Sequence, residues 1–262
     1  MHQKTRVRSA FSFIFAAAIS TGAHAADVDN TPADAGKIRN VVLVHGLYAD
    51  GSSWGKVIPL LQAKGLHVTA VQNPTTSFKD DVDAVRRVLA LQDGPTVLVA
   101  HSYGGMVITE AGTDPKVTAL VYIAARAPDA GEDYGALVKK FPTAPAGAGL
   151  KWENDGFGAL SEQAFVHDFA GDLPIAEARN YYAVQQRVGK AITQAKTTAA
   201  AWRSKPSFYA VSSNDRTINP DLERFMAKRM GARTIELPAS HVSLLSHPVE
   251  VAELIEQAAG QR

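Results

Sequence analysis

Leu98-Val99-Ala100-His101-Ser102-Tyr103-Gly104-Gly105 is an apolar run that stops at a serine set between small residues. A strand buried on both faces reads as a continuous apolar segment, and Thr96 to Ala100 has that form. The glycines that follow allow a tight turn into a helix, predicted over Tyr103 to Ala111. At such a strand–turn–helix junction the central serine is pushed out of the turn and its hydroxyl is aimed at a pocket. The pattern is small-x-Ser-x-Gly, with Ala100 in the first small position and Gly104 in the last. Short matches of this kind are common, so the reading depends on what the rest of the chain supplies.

On both sides of this segment strands alternate with helices. Val41–Val44, His67–Val71, Thr118–Ile123, Ser207–Val211 and Arg233–Leu237 read as strands. A helix is predicted over Trp54–Ala63, closed by Gly65. Another is predicted over Lys79–Leu91, where Ser77 caps the start and Asp80 and Asp81 suit the positive end of the dipole. Pro220 and Pro248 each open a helix at the first-turn position that proline tolerates, the latter running to about Ala259. The alternation predicts an α/β fold, a mostly parallel sheet flanked by helices on both faces. Residues from about 127 to 205 break it: short helical stretches alternate with a Pro/Gly/Ala-rich segment around Phe141–Gly149, and no buried β-branched run appears. This reads as a cap inserted over the sheet edge.

The 262 residues suffice for one sizeable domain, expected over residues 38–262. A formal net charge of +1 gives no electrostatic case for nucleic acid or an anionic membrane as partner. The chain has no cysteine, which excludes disulfides, thiolate catalysis and thiolate metal sites. Lys4, Arg6 and Arg8 precede an apolar stretch, Phe11–Ile19, that is short for a membrane span, and Ala23-His24-Ala25 fits a cleavage site. Residues 1–25 are therefore expected to be a signal peptide and 26–37 a linker. The mature protein is expected to be periplasmic or secreted, with no membrane anchor.

Attack on an acyl carbon needs a nucleophile, a base, a group that orients the base, and donors for the developing oxyanion. Ser102 is the candidate nucleophile; the plain alternative is a serine capping an ordinary helix. Asp215, in Ser213-Asn214-Asp215-Arg216-Thr217 beyond the strand Ser207–Val211, is the candidate orienting acid, though turn chemistry alone would also explain it. Asp221 and Asp129 are alternatives, the first explicable as a helix-start residue and the second placed one strand earlier. His241, just past the last strand, is the candidate base. His45, His67, His101, His167 and His247 lack that position. His45 reads as a structural histidine in its turn, and His101 as the variable residue of the serine motif. The backbone N–H groups of Leu47 and Tyr103 are the candidate oxyanion donors, with Gly46 allowing close approach. There is no His-Glu-x-x-His, no glycine-rich nucleotide loop and no cofactor signature, so neither metal nor cofactor is expected.

His45-Gly46-Leu47, Ala100-His101-Ser102-Tyr103-Gly104-Gly105, Asp215 and His241 together resemble the α/β-hydrolase superfamily. Leu120-Val121-Tyr122-Ile123-Ala124-Ala125, Ala127-Pro128-Asp129 and Ala239-Ser240-His241 with Ser246-His247-Pro248 look like its branch of small bacterial hydrolases similar to plant methyl esterases and hydroxynitrile lyases. The resemblance implies an eight-stranded sheet with a small helical cap, and a Ser-Asp-His triad at Ser102, Asp215 and His241. It also implies a serine carboxylesterase acting on small or medium esters. The alternatives are a lyase cleaving carbon–carbon bonds and a non-catalytic small-molecule binding protein. Lyases of this branch typically carry threonine where this chain has Gly46 and lysine where it has Val242, which favours the esterase. Tyr134, Phe141, Trp152, Phe157, Phe165, Phe169, Tyr181 and Tyr182 in the insertion are expected mostly to pack the cap, the remainder lining an apolar pocket.

Overall fold

The computed structural model describes residues 38–261; the predicted signal peptide and linker lie outside the described residues. Its strands, in chain order, are β1 (Asn40–Val44), β2 (His67–Val71), β3 (Thr96–His101), β4 (Val117–Ile123), β5 (Leu150–Trp152), β6 (Phe157–Leu160), β7 (Val188–Gly189), β8 (Ser207–Ser212) and β9 (Arg233–Leu237). Six of them form one parallel sheet in the order β2-β1-β3-β4-β8-β9. β1 and β3 are buried along their whole length, as their unbroken apolar sequences require.

Because side chains alternate across a strand, each one feeds two cores. Val41, Leu43, Val97, Val99 and Val121 pack on one face with Trp54, Leu61, Leu254 and Ile255. Val42, Val44, Leu98, Ala100 and Tyr122 pack on the other with Val85, Leu89, Met106 and Met226. The result is a sheet between two helical layers.

The helices start where the sequence places their caps. Phe78–Ala90 begins after Ser77, whose side chain accepts from the Asp80 N–H, and Pro220–Arg229 begins after Asn219, whose side chain accepts from Asp221. The helix expected over Trp54–Ala63 is instead divided into a 3-10 turn, Gly51–Trp54, and a helix, Ile58–Ala63. Pro59 explains the break: it lacks an N–H and is tolerated only in a first turn, so the helix cannot run through it from Trp54.

Two expectations need correction. Among the described residues the main sheet has six strands, not eight. The segment between β4 and β8 is also not purely helical, since β5, β6 and β7 form a separate antiparallel sheet of three strands. These strands are short and partly exposed, and β6 and β7 carry Gly158 and Gly189. They lack the apolar length that would admit them to a sheet buried on both sides. Helices Tyr134–Val138 and Ile175–Ala183 and a π-helical turn Phe165–Phe169 are among the segment's other elements.

Parallel strands bring all their carboxyl ends to one edge. Val44, His101, Ile123, Ser212 and Leu237 end there, so the loops carrying Gly46, Ser102, Arg126, Asp215 and His241 meet at one rim.

Candidate active site

The backbone makes the first commitment. Ser102 has φ +54°, a left-handed conformation that costs a non-glycine residue on the order of 1–3 kcal/mol. Hydrogen bonds from three directions hold it there. Its N–H donates to Ile123 O (3.1 Å), and its carbonyl accepts from Gly105 N (3.0 Å) and Arg126 N (2.9 Å). The tightness of the turn also explains the neighbouring glycines. A Cβ on Gly104 would lie 2.7 Å from His45 O, and one on Gly46 would lie 2.6 Å from Ser102 Cβ. No side chain fits at either place unless the backbone moves.

The three candidate side chains, far apart in sequence, form one hydrogen-bonded chain. His241 Nε2 is 2.8 Å from Ser102 Oγ, and His241 Nδ1 is 2.5 Å from Asp215 Oδ2. Asp215 Oδ1 accepts from the N–H groups of Thr217 (2.6 Å) and Ile218 (2.9 Å), which fixes the carboxylate. An acceptor carboxylate at Nδ1 requires the proton on that nitrogen, leaving the Nε2 lone pair for the serine hydroxyl. All three residues are buried. The alternatives are engaged elsewhere: Asp129 pairs with Arg203, and Asp221 with Arg224. Among the described residues, the Leu47 and Tyr103 amides, the candidate oxyanion donors, donate to no protein acceptor.

The surroundings hold residues whose part the sequence reading did not foresee. His101 Nε2 donates to the His241 carbonyl (2.9 Å), and the two rings lie 4.7 Å apart. Burial holds the His101 pKa well below the ordinary imidazole value, so it is neutral and positions the His241 backbone without competing for a proton. Phe169, from the inserted segment, packs on both rings, at 6.2 Å from His101 and 5.1 Å from His241. His45, expected as a structural histidine, is likewise held neutral by burial and donates from Nδ1 to Gly46 O (2.9 Å), which steadies the loop that carries the Leu47 amide.

Two buried acids lie behind this row. Glu223 Oε2 accepts from Ser212 N (3.0 Å), Oε1 has no donor, and the side chain lies against Asp215. Burial first, and then the Asp215 charge, push its pKa well above the carboxylate range, so Glu223 is held neutral. One signal for it was legible, since Glu223 shares the buried face of its helix with Leu222, Met226 and Ala227. Asp81 accepts from Tyr103 OH (2.7 Å) and Thr75 N (2.7 Å), anchoring the residue after the serine, and burial raises its pKa to about 6.

Beside the loop that carries Leu47 lies a cavity of about 460 Å³. Leu47, Tyr48, Arg126, Tyr134, Trp152 and Thr217 are among its walls, so it reaches from the oxyanion loop to the inserted segment. Among the described residues no group of three or more His, Asp or Glu side chains is arranged to hold a metal ion.

A model described as the alpha/beta hydrolase family matches residues 41–254. Polyneuridine aldehyde esterase of Rauvolfia serpentina is 26% identical over 260 residues, covering 86% of this chain and 97% of that protein. A pyrethroid hydrolase of Sphingobium wenxiniae is 24% identical over 249 residues, covering 83% of this chain and 86% of its own. The crystal structure of polyneuridine aldehyde esterase superposes with a TM-score of 0.73 at 21% identity, covering 84% of this chain and 99% of that one. At that identity the superposition speaks for the fold.

Proposed function

The chain belongs to the alpha/beta hydrolase family, and we propose that it is a serine carboxylesterase acting on small to medium carboxylic esters through an acyl-enzyme. One observation carries the reading: the unbroken hydrogen-bonded chain Asp215–His241–Ser102 ends at a serine held out of its turn by a positive φ. The relatives named as esterases and hydrolases support ester hydrolysis.

In this mechanism His241 Nε2 takes the Ser102 proton as Oγ attacks the ester carbonyl. Negative charge collects on the carbonyl oxygen, where the Leu47 and Tyr103 amides donate to it. Collapse expels the alcohol, which leaves with the proton from His241. Water, deprotonated by the same imidazole, then releases the acid and restores Ser102. Asp215 keeps the imidazole in the tautomer that can accept from serine and stabilises its protonated form. Val242, buried and uncharged beside His241, offers nothing to a departing cyanide, and Gly46 has no room for a side chain; both favour the esterase over the lyase.

We also propose export: removal of residues 1–25 releases a periplasmic or secreted protein, and N-terminal sequencing of exported material should start at Ala26. The activity is tested by hydrolysis of p-nitrophenyl esters of increasing acyl length. Wild type should turn them over, and Ser102→Ala should lose about a million-fold in kcat. A folded wild type inert on every ester would refute the reading.

A further inference from the structure

Arg126 is an unusual arginine for this molecule. It lies on the loop after β4, and its backbone N–H is one of the groups that bind Ser102 O. Its guanidinium is placed by aromatic rings, 5.1 Å from the Tyr134 centroid and 5.7 Å from that of Tyr103. Among the described residues its side chain has no carboxylate partner and donates no hydrogen bond, and Nε is buried without an acceptor. Arg179, Arg187, Arg203, Arg216, Arg224 and Arg229 each hold a carboxylate by contrast.

The guanidinium lines the same cavity as Leu47. Lys139 lines that cavity too, and Lys196 and Asp133 line a smaller hollow that Arg126 also borders. The Asp133 carboxylate is engaged at its own helix start, accepting from Ala136 N (3.0 Å). The wall therefore carries excess positive charge. A part-buried cation without a counter-ion is a liability to the folded state, eased here by the two ring faces. Packing holds the guanidinium in place while leaving its donors unused, which suits a planar fork that must meet an incoming anion.

We propose that Arg126 binds a carboxylate of the substrate, so that the preferred ester carries a carboxylate on its acyl or alcohol part, a half-ester of a dicarboxylic acid being the simplest case. This rests on the esterase reading of the same site. The carboxylate would replace the missing counter-ion and anchor one end of the molecule while the ester carbonyl meets the Leu47 and Tyr103 amides. A neutral diester of the same length fills the same space without that anchor.

The test separates binding from turnover. Calorimetric titration of the Ser102→Ala protein with monomethyl succinate, glutarate and adipate, and with the matching dimethyl esters, reads recognition without catalysis. At least one half-ester should bind about tenfold or more tightly than its diester. Adding Arg126→Gln should bring that ratio close to one, and Arg126→Lys should retain part of it. Because each ratio is taken within one protein, a loss of folded material does not imitate the result. Equal affinity for half-ester and diester at all three lengths, or a preference that survives Arg126→Gln, would overturn the proposal. A pH-stat assay of wild type on the same esters judges the esterase reading separately: tight half-ester binding without Ser102-dependent hydrolysis would sink that reading and leave the carboxylate site standing.

Discussion

The rim of the sheet and the wall of the cavity are built on different principles, although they meet at Leu47. On the rim, the polar side chains of the row are joined by hydrogen bonds. Ser102, His241 and Asp215 bond to one another, Asp215 bonds two amides, and His101 and His45 each bond a carbonyl. Across the cavity the lining is mostly apolar, with Arg126 lying over the Tyr134 ring. A site that must move a proton needs fixed distances. A site that must accept a range of molecular shapes needs area and a few well-placed charges.

Asp215→Asn tests the tied rim most severely. It leaves the space filled but removes the preference for the Nδ1–H tautomer, and kcat should fall about 10⁴-fold with little change in KM. A variant within tenfold of wild type would show that another group orients His241. Glu223→Ala probes the layer behind. Ser212 N loses its acceptor and a cavity opens, so urea unfolding should register a loss of roughly 1–3 kcal/mol, while Glu223→Gln should recover much of it. Equal stability of the alanine variant and wild type would mean the buried acid supports nothing.

Asp81 gives the rim a pH dependence. Its folded pKa of about 6 lies above the ordinary aspartate value, so its protonated form stabilises the native state fully at acid pH. That contribution is lost as pH rises from about 4 through 6, by up to roughly 3 kcal/mol. Wild type should therefore lose more stability than Asp81→Asn on going from pH 4.5 to pH 7, as read by urea unfolding. Parallel behaviour of the two proteins would remove the assignment. The cavity wall should respond least: Trp152→Ala, at a half-open position, should raise KM for long acyl esters by a few-fold and leave kcat on acetyl esters alone. A loss of kcat on every ester would mean that the wall and the rim are not independent.

The same division governs what could be read in advance. The strand pattern located the loops of Ser102, Asp215 and His241, because a parallel sheet gathers its carboxyl ends whatever the side chains do. His101 and Phe169 were not legible in that way. Each acts through a contact with His241, a distant partner in sequence that periodicity cannot point to. Arg126 left a faint mark, as one charge within Ile123-Ala124-Ala125-Arg126-Ala127-Pro128, and Glu223 a clearer one on an apolar helix face. The antiparallel strands of the inserted segment were missed because pairing among three short, partly exposed strands is decided by their neighbours rather than by hydrophobic alternation.

The positive φ of Ser102 also makes the proposed nucleophile a fuse. Its conformation is imposed by Ile123, Gly105 and Arg126, and an isolated serine would leave it. When heat or denaturant loosens those layers, the serine should relax into an ordinary backbone shape before the helices and sheet come apart. Esterase activity should then vanish at a lower urea concentration than tryptophan fluorescence changes, and return as promptly on dilution. The protein would be disarmed while still folded, its most reactive atom the first to stand down.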